Sequence, residues 1–269
     1  MIYSDRTLSQ KLERTEARVN ADFVETRARL TPDYGAEWIE VGGAYAMFDG
    51  VESPLTQTFG LGVFEDATDL HLDKIEAFYA KHNSPVFHEV SPMADASIME
   101  LLGSRGYRPI ELTSVMYREL SSIDKRERDP RLTTRVIEPD EIELWARTSA
   151  DAWMTEHEAL GEFMFNFGSN SASCKGAYPY IAELAGRPIA TGMLFIYDDV
   201  CMLAGASTLP DARKNGAQTA LLEDRLSFAA GRGCKLAIMG AAPGSQSQKN
   251  AQKNAFQIAY TRTKWQKMG

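Results

Sequence analysis

The sequence has 269 residues, of which 44% are hydrophobic and 25% charged, enough to bury a sizeable core in two domains. The formal net charge of −8 disfavours nucleic acid as a partner, because a polyanion requires basic patches on the protein. The three cysteines are too widely spaced for a disulfide framework, and neither an apolar leader nor a membrane-spanning run occurs. These features predict a cytoplasmic protein with no membrane partner.

The first half is predicted to alternate helices and strands. It opens with an amphipathic helix that ends near Leu30. Strand-like segments follow at 37–48 and 56–64, and the turn signal Asp49-Gly50 separates them. The remaining predicted elements are a helix at 69–83, a strand at 85–92, a short helix at 95–107 and a strand at 113–120.

The second half repeats this order after residues 121–131, a charged stretch without apolar periodicity that is predicted to be a linker. A strand and a helix come first, and a hairpin turning at Ala185-Gly186 follows them. The later predicted elements are a buried strand at 199–207, a helix at 216–230, a strand at 234–243, a short helix at 245–256 and a closing strand at 257–265.

Corresponding elements of the two halves are separated by about 150 residues, as Pro92 and Pro243 illustrate. This period predicts two tandem copies of one α/β (α+β) domain. The predicted boundaries are 1–120 for the first domain and 132–269 for the second. Two unrelated α+β domains with similar element counts are the alternative.

The stretch DARKNGAQTALLEDRL (211–226) leaves a buried strand, crosses a basic loop and enters a helix. The first N–H groups of a helix lack intrahelical partners and lie at the positive end of its dipole, so a glycine-bearing turn there can bind phosphate. The spacing fits neither a Walker loop nor a dinucleotide fingerprint, and a connection that binds nothing is the alternative. Within the helix, Leu221, Leu222, Leu226 and Ala229 are predicted to face inward and Glu223, Asp224 and Arg225 outward.

The segment STLPDARKNGAQTALLEDRLSFAAGRGC resembles the pyrophosphate-binding segment of the GNAT superfamily of N-acyltransferases, whose pattern is R/Q-x-x-G-x-G/A. On this alignment Arg213 is the leading basic residue, Gly216 is the central glycine, and Gln218 replaces the last Gly or Ala. Further along the chain, NAFQIAYTRTKW resembles the closing helix-to-strand turn of the family. The resemblance covers roughly residues 132–269.

The first half ends in LLGSRGYRPIELTSVMYREL and resembles the same fold. An acidic turn with Glu65, Asp66 and Asp69 stands where its pyrophosphate loop should be. Negative charge repels pyrophosphate, so this half is expected to bind no coenzyme. The architecture therefore resembles a tandem GNAT protein with a degenerate N-terminal copy, which implies a mixed, mostly antiparallel central sheet flanked by helices in each domain.

The resemblance implies an acetyl-CoA-dependent N-acetyltransferase in which an amine attacks the thioester directly, in a ternary complex and within the C-terminal domain. Acetyl-CoA would be the cosubstrate, no metal would be needed, and the acceptor would be a small-molecule or protein amine. Gly205 is expected to ease a distortion of the coenzyme-binding strand. The implied coenzyme-binding residues are the strand backbone at Ala206, Ser207, Thr208 and Leu209, the loop Arg213, Lys214, Asn215, Gly216, Ala217, Gln218 and Thr219, and Ser247 and Asn250 on the last helix.

Direct attack requires a base for the ammonium and a proton for the leaving thiolate. Glu156 and His157 lie where the family builds its acceptor site, and the ordinary pKa of an imidazole suits proton removal. A solvated cluster at a helix end is the alternative for these two residues. Family members place a tyrosine where this chain has Ala251, and Tyr260 is the nearby catalytic candidate. The thiolate could leave unassisted or the domain could be a poor catalyst, but a proton delivered by water is the preferred expectation.

Two other interpretations stay open at this point. The protein could be a catalytically weak acyl-CoA sensor or protein-interaction module, because the family tyrosine is missing and Gln218 is unusual. It could also be a structural dimerisation protein, given the degenerate first half. The expected oligomeric state is a monomer or a homodimer.

Overall fold

In a computed structural model, which describes residues 2–121, 123, 125–154 and 161–268, the chain forms two compact units. The first unit combines residues 1–118 with residues 238–269, and the second consists of residues 119–237. The mixed α/β class is confirmed, and the predicted elements follow one another in the predicted order, apart from the segment 37–48 and an unpredicted helix at Gly161–Ala172. The units do not follow the predicted second-domain range of 132–269, because the last part of the chain joins the first unit.

The helices and strands have the following bounds in chain order. The helices are α1 (Arg6–Leu30), α2 (Asp69–Lys81), α3 (Ile98–Ser104), α4 (Ile142–Met154), α5 (Gly161–Ala172), α6 (Ala217–Gly231) and α7 (Gln246–Lys253). The strands are β1 (Glu37–Val41), β2 (Ala44–Phe48), β3 (Thr58–Phe59), β4 (Phe87–Val90), β5 (Tyr107–Glu119), β6 (Leu132–Val136), β7 (Ala177–Leu184), β8 (Arg187–Tyr197), β9 (Val200–Thr208), β10 (Leu236–Ala241) and β11 (Gln257–Lys267).

Each unit has its own run of neighbouring strands. In the first unit the order is β1-β2-β3-β4-β11-β5-β10, with β10 represented by residues 238–241. Strands β3 and β4 are parallel, whereas β11 is antiparallel to both β4 and β5. In the second unit β6, β7, β8 and β9 form an antiparallel meander.

The predicted strand at 37–48 is wrong as a single element. It is a hairpin of β1 and β2 that turns at Gly42 and Gly43, which have φ of 57° and 77°. Two successive residues with positive φ favour the tight turn that matches the twist of paired strands, and glycine adopts this conformation without steric cost. The aspartate of the Asp49-Gly50 signal instead has a buried carboxylate, which pairs with Arg27 at 3.0 Å.

The closing strand β11 is held in the first unit by a buried cluster of charges around Arg262. The guanidinium of Arg262 contacts Glu16 at 2.7 Å, Glu89 at 2.9 Å and Glu13 at 3.2 Å. Two of these carboxylates come from α1 and one from β4, so Arg262 links the C-terminal strand to the first helix. Tyr260, on the same strand, donates its hydroxyl to Glu13 at 2.8 Å.

Three carboxylates surround one guanidinium in this cluster, which explains the protonation behaviour of Glu13. Burial raises the pKa of Glu13 to about 7, while Arg262 opposes the rise. The neighbouring carboxylate of Glu16 acts in the same direction as burial. Because the cluster carries more negative than positive charge in a desolvated place, we expect it to hold a proton near neutral pH.

His88, on β4, is a buried histidine without a polar partner. Neither of its ring nitrogens has a hydrogen-bond partner among the described residues, and its side chain is fully buried beside Tyr107. Burial lowers the pKa of His88 to about 3. In the unfolded chain the imidazole begins to bind a proton near pH 6.5, its ordinary pKa. In the folded protein it is still neutral at that pH.

We predict that His88→Leu stabilises the protein, increasingly so as the pH falls. At pH 7.5 the gain should be about 1 kcal/mol, because two unpaired buried polar atoms are removed. Below pH 6.5 the unfolded wild-type chain takes up a proton that the folded chain rejects, so wild-type stability falls and the difference grows by about 1.4 kcal/mol per pH unit. Urea unfolding of wild type and variant at pH 7.5 and 5.5 measures the stability difference at each pH. A difference that is no larger at pH 5.5 than at pH 7.5 would contradict this prediction.

The second unit packs α4 and α6 against its meander. Trp145 on α4 is 2% exposed and donates its indole N–H to the carbonyl of Tyr180 at 2.8 Å. The predicted outward orientation of Glu223 and Arg225 on α6 is wrong, since they are only 5% and 3% exposed. Glu223 faces Arg126 at 3.4 Å, a residue of the predicted linker, and so finds its partner far away in the sequence.

Candidate functional site

The candidate site is the turn between β9 and α6. None of the described residues accepts a hydrogen bond from the backbone amides of residues 214–219, whereas the amides on either side bond to Pro210 and Gly216. The side chains of Arg213, Lys214 and Asn215 are exposed beside this row of N–H groups. A row of unpaired amides at a helix start, next to two basic side chains, attracts an anion.

Backbone conformation at the turn is unusual at two positions. Gly216 is the residue preceding α6, with φ of 79°, and Lys214 has φ of 70°. A Cβ added at Gly216 would meet only Leu132, at 3.9 Å, so this face of the loop is open. The left-handed conformation suits glycine, and successive N–H groups in turns of this kind can form a concave site for an anion.

Strand β9 is distorted just before the turn, as the sequence predicted for Gly205. Thr191 lies opposite Ser207 but Met193 lies opposite Ala204, so β9 contains one extra residue relative to β8. Gly205 has φ of 57°, and both Gly205 and Ala206 are exposed. Such a bulge breaks regular pairing and leaves the backbone of the bulged residues available to a ligand.

Gln218 fills a structural role that the sequence did not predict. Its amide nitrogen donates to the carbonyl of Ser207 at 2.7 Å and to the hydroxyl of Thr208 at 2.9 Å. The side chain therefore points back toward the end of β9 and leaves the backbone amide of Gln218 unpaired. This arrangement ties the first turn of α6 to the strand that precedes the loop.

The other predicted site residues lie either in the first unit or outside the described residues. Ser247 and Asn250 are exposed on α7, which belongs to the first unit. Tyr260 also belongs to the first unit, where it is 6% exposed and bonded to Glu13. Glu156 and His157 lie outside the described residues.

The corresponding loop of the first unit, between β3 and α2, has the opposite polarity. Arg6 on α1 donates to the carbonyl of Val63 at 3.0 Å and contacts the carboxylate of Asp66 at 3.4 Å. Gln10 also donates to the carbonyl of Val63, at 3.0 Å. The loop therefore presents oxygen atoms to cationic and amide donors, which is the inverse of an anion-binding turn.

Within the described parts of the chain, no three His, Cys, Asp or Glu side chains are grouped as metal ligands. In the same parts, no helix is both long and apolar enough to span a bilayer.

Solved structures share the fold along nearly the whole chain. A GCN5-related N-acetyltransferase from Kribbella flavida is 16% identical, with a TM-score of 0.66, and the match covers 94% of this chain and 95% of that one. A tandem GNAT protein from the clavulanic acid biosynthesis pathway is 11% identical, with a TM-score of 0.61 and coverage of 100% and 98%. At these identities the likeness establishes the fold alone.

Sequence comparison agrees with the structural one over the second half of the chain. No protein of curated function matches the chain in sequence. Residues 139–254 match the model of the acetyltransferase (GNAT) family, a range that includes β9, the turn and α6. Residues 139–254 thus resemble the GNAT family in sequence, and the chain shares its fold with a tandem GNAT protein.

Proposed function

We propose that the protein is an acetyl-CoA-dependent N-acetyltransferase whose coenzyme site is the turn before α6. The observation that carries this proposal is the row of unpaired amides at residues 214–219, beside exposed Arg213 and Lys214. A pyrophosphate offers several anionic oxygens, which match a row of N–H donors at the positive end of a helix. The GNAT-family match over these residues supports the choice of coenzyme A.

The acyl end of the coenzyme would lie along the distorted part of β9. The exposed backbone at Gly205 and Ala206 can accept the pantetheine arm in the manner of an added strand. Backbone N–H groups there would stabilise the oxyanion that forms when the amine attacks the thioester carbonyl. The strand backbone at 206–209 and the loop at 213–219 are therefore our proposed coenzyme contacts.

The proposed reaction forms a C–N bond and breaks the C–S bond of the thioester. The attacking amine must first lose a proton, for which Glu156 and His157 are the proposed acceptors. The leaving thiolate must gain a proton, and we assign this step to water, because the Tyr260 hydroxyl is already donated to Glu13. The proposed acceptor is a small-molecule or protein amine, and its attack needs no metal ion.

A catalytic role and a sensor role predict different results with the same reagents. An assay of thiol release with acetyl-CoA, with and without a panel of primary amines, distinguishes them. If the protein is an enzyme, we expect release of CoA thiol that depends on the amine present, with one acetylated amine formed per thiol. Binding of acetyl-CoA without amine-dependent release across the panel would support the sensor and contradict the catalytic proposal.

A further inference from the structure

Arg225 on α6 is a buried cation without an acidic partner. It is 3% exposed, and no carboxylate of the described residues forms an ion pair with it. Its two hydrogen bonds go to backbone carbonyls, at Leu221 (3.1 Å) on its own helix and Met193 (2.8 Å) on β8. A buried charge that lacks a counter-ion is costly to desolvate, so an apolar side chain would serve packing better.

The position of Arg225 connects it to the bulge of β9. The strand pairing shifts between Thr191 and Met193, and Arg225 donates to the carbonyl of Met193 at the end of that shift. The guanidinium also lies directly over Gly192, the residue in the middle of the shift. A Cβ at Gly192 would lie 2.7 Å from the guanidinium carbon, so this position accommodates glycine alone while Arg225 keeps its place.

The two faces of the strand pair are thus fixed by different side chains. On one face, Gly205 of the bulge lies near Trp145 and Met193, at 4.0 and 3.6 Å from the position a Cβ would take. On the other face, Gly192 is covered by the guanidinium of Arg225. A bulge loses regular cross-strand hydrogen bonds, and a side-chain donor can replace one of them for the carbonyl left beside it.

We propose that Arg225 is a positioning residue that holds the β8–β9 bulge in the shape needed to bind the pantetheine and thioester part of the coenzyme. This inference rests on the proposed function, because it assigns the bulge backbone to that part of acetyl-CoA. Arg225 touches neither the coenzyme nor the reacting atoms. It acts through the carbonyl of Met193 and through its contact with Gly192.

Arg225 is expected to affect the binding of the pantetheine end of the coenzyme but not of the diphosphate end. A ligand that lacks pantetheine therefore tests its role. The probe is 3′-phosphoadenosine 5′-diphosphate, which keeps the two linked phosphates but lacks pantetheine. In calorimetric titrations, Arg225→Met should bind acetyl-CoA at least about tenfold more weakly than wild type, the effect of one lost charged hydrogen bond. Its affinity for the truncated probe should equal that of wild type, because the turn at 214–219 is unchanged.

Three further variants keep the test decisive. Gly192→Ala keeps the positive charge of Arg225 but displaces the guanidinium that carries it. It should therefore reproduce the selective loss of acetyl-CoA affinity even if Arg225→Met fails to fold. Arg225→Lys retains one donor and should recover part of the affinity. Arg232→Met, at the exposed end of the same helix, removes an equal charge and should change neither affinity.

The outcomes for this inference and for the proposed function are distinguishable. Wild type that binds neither acetyl-CoA nor the truncated probe would contradict the coenzyme site itself. Wild type that binds both, with Gly192→Ala and folded Arg225 variants binding acetyl-CoA equally well, would overturn the role of Arg225 alone. A loss of affinity for both ligands in these variants would also overturn it, since that result indicates a general structural defect.

Discussion

Replacing Arg262 with methionine is expected to destabilise the protein by about 3–5 kcal/mol, because it leaves buried carboxylates without their cation. The guanidinium is the shared partner of Glu13, Glu16 and Glu89, and its side chain is only 3% exposed. At pH 8 the loss should be larger than at pH 5, where protonation can neutralise the abandoned carboxylates. Urea unfolding at the two pH values measures the difference.

Two comparisons test the electrostatic reason for that loss. Arg108→Met removes an exposed arginine from neighbouring β5 and should change the stability by no more than about 0.5 kcal/mol. Adding Glu13→Gln to Arg262→Met should recover part of the lost stability, because one uncompensated carboxylate is gone. If Arg262→Met proves as stable as Arg108→Met, the cluster does not hold β11 in place.

Placing a carboxylate in the turn before α6 should weaken coenzyme binding strongly. We expect Gly216→Glu to bind CoA about 100-fold more weakly, because like charges about 4 Å apart in a partly screened site repel by several kcal/mol. The added Cβ has room, since it would meet only Leu132 at 3.9 Å. Isothermal titration with CoA measures the loss.

The control for this change is Gly216→Asn, which adds a neutral side chain one methylene shorter than that of glutamate. Asparagine tolerates the left-handed conformation that this residue adopts, with φ of 79°. Its affinity for CoA should stay within about fivefold of wild type. An equal loss in both variants would show that backbone strain, rather than charge, is responsible.

Local patterns in the sequence were sufficient to predict most elements but not their partners. The apolar stripe of α1, the hairpin turn at Ala185-Gly186 and the start of α6 after Gly216 all agree with the structure. The strand at 257–265 was also predicted, yet its neighbours β4 and β5 come from the distant first half. Strand pairing depends on contacts between remote segments, and periodicity carries no information about them.

The orientation of α6 shows why charged residues are a poor guide to which face of a helix is exposed. A helical wheel places charge outward by default, but Arg225 finds backbone acceptors at Leu221 and Met193, and space above Gly192. Asp224, predicted to face solvent, pairs with Lys125 and Arg128 of the predicted linker. These partners are supplied by the tertiary fold, so only the structure could reveal them.

The conformation of the turn before α6 was predictable for the opposite reason, since its signal is local. A basic residue, a glycine and a helix start within a few positions create unpaired amides whatever the rest of the fold does. The side chain of Gln218 was the exception. Its bonds to Ser207 and Thr208 depend on the return of α6 toward the end of β9.

Amide hydrogen exchange, measured residue by residue with and without CoA, tests most directly whether the turn before α6 binds the coenzyme. The amides of residues 214–219 have no acceptor among the described residues. We therefore expect CoA to slow their exchange and to leave exchange in the acidic loop at 60–68 unchanged. Saturating CoA that leaves exchange at 214–219 unaltered, or that protects the acidic loop instead, would contradict it.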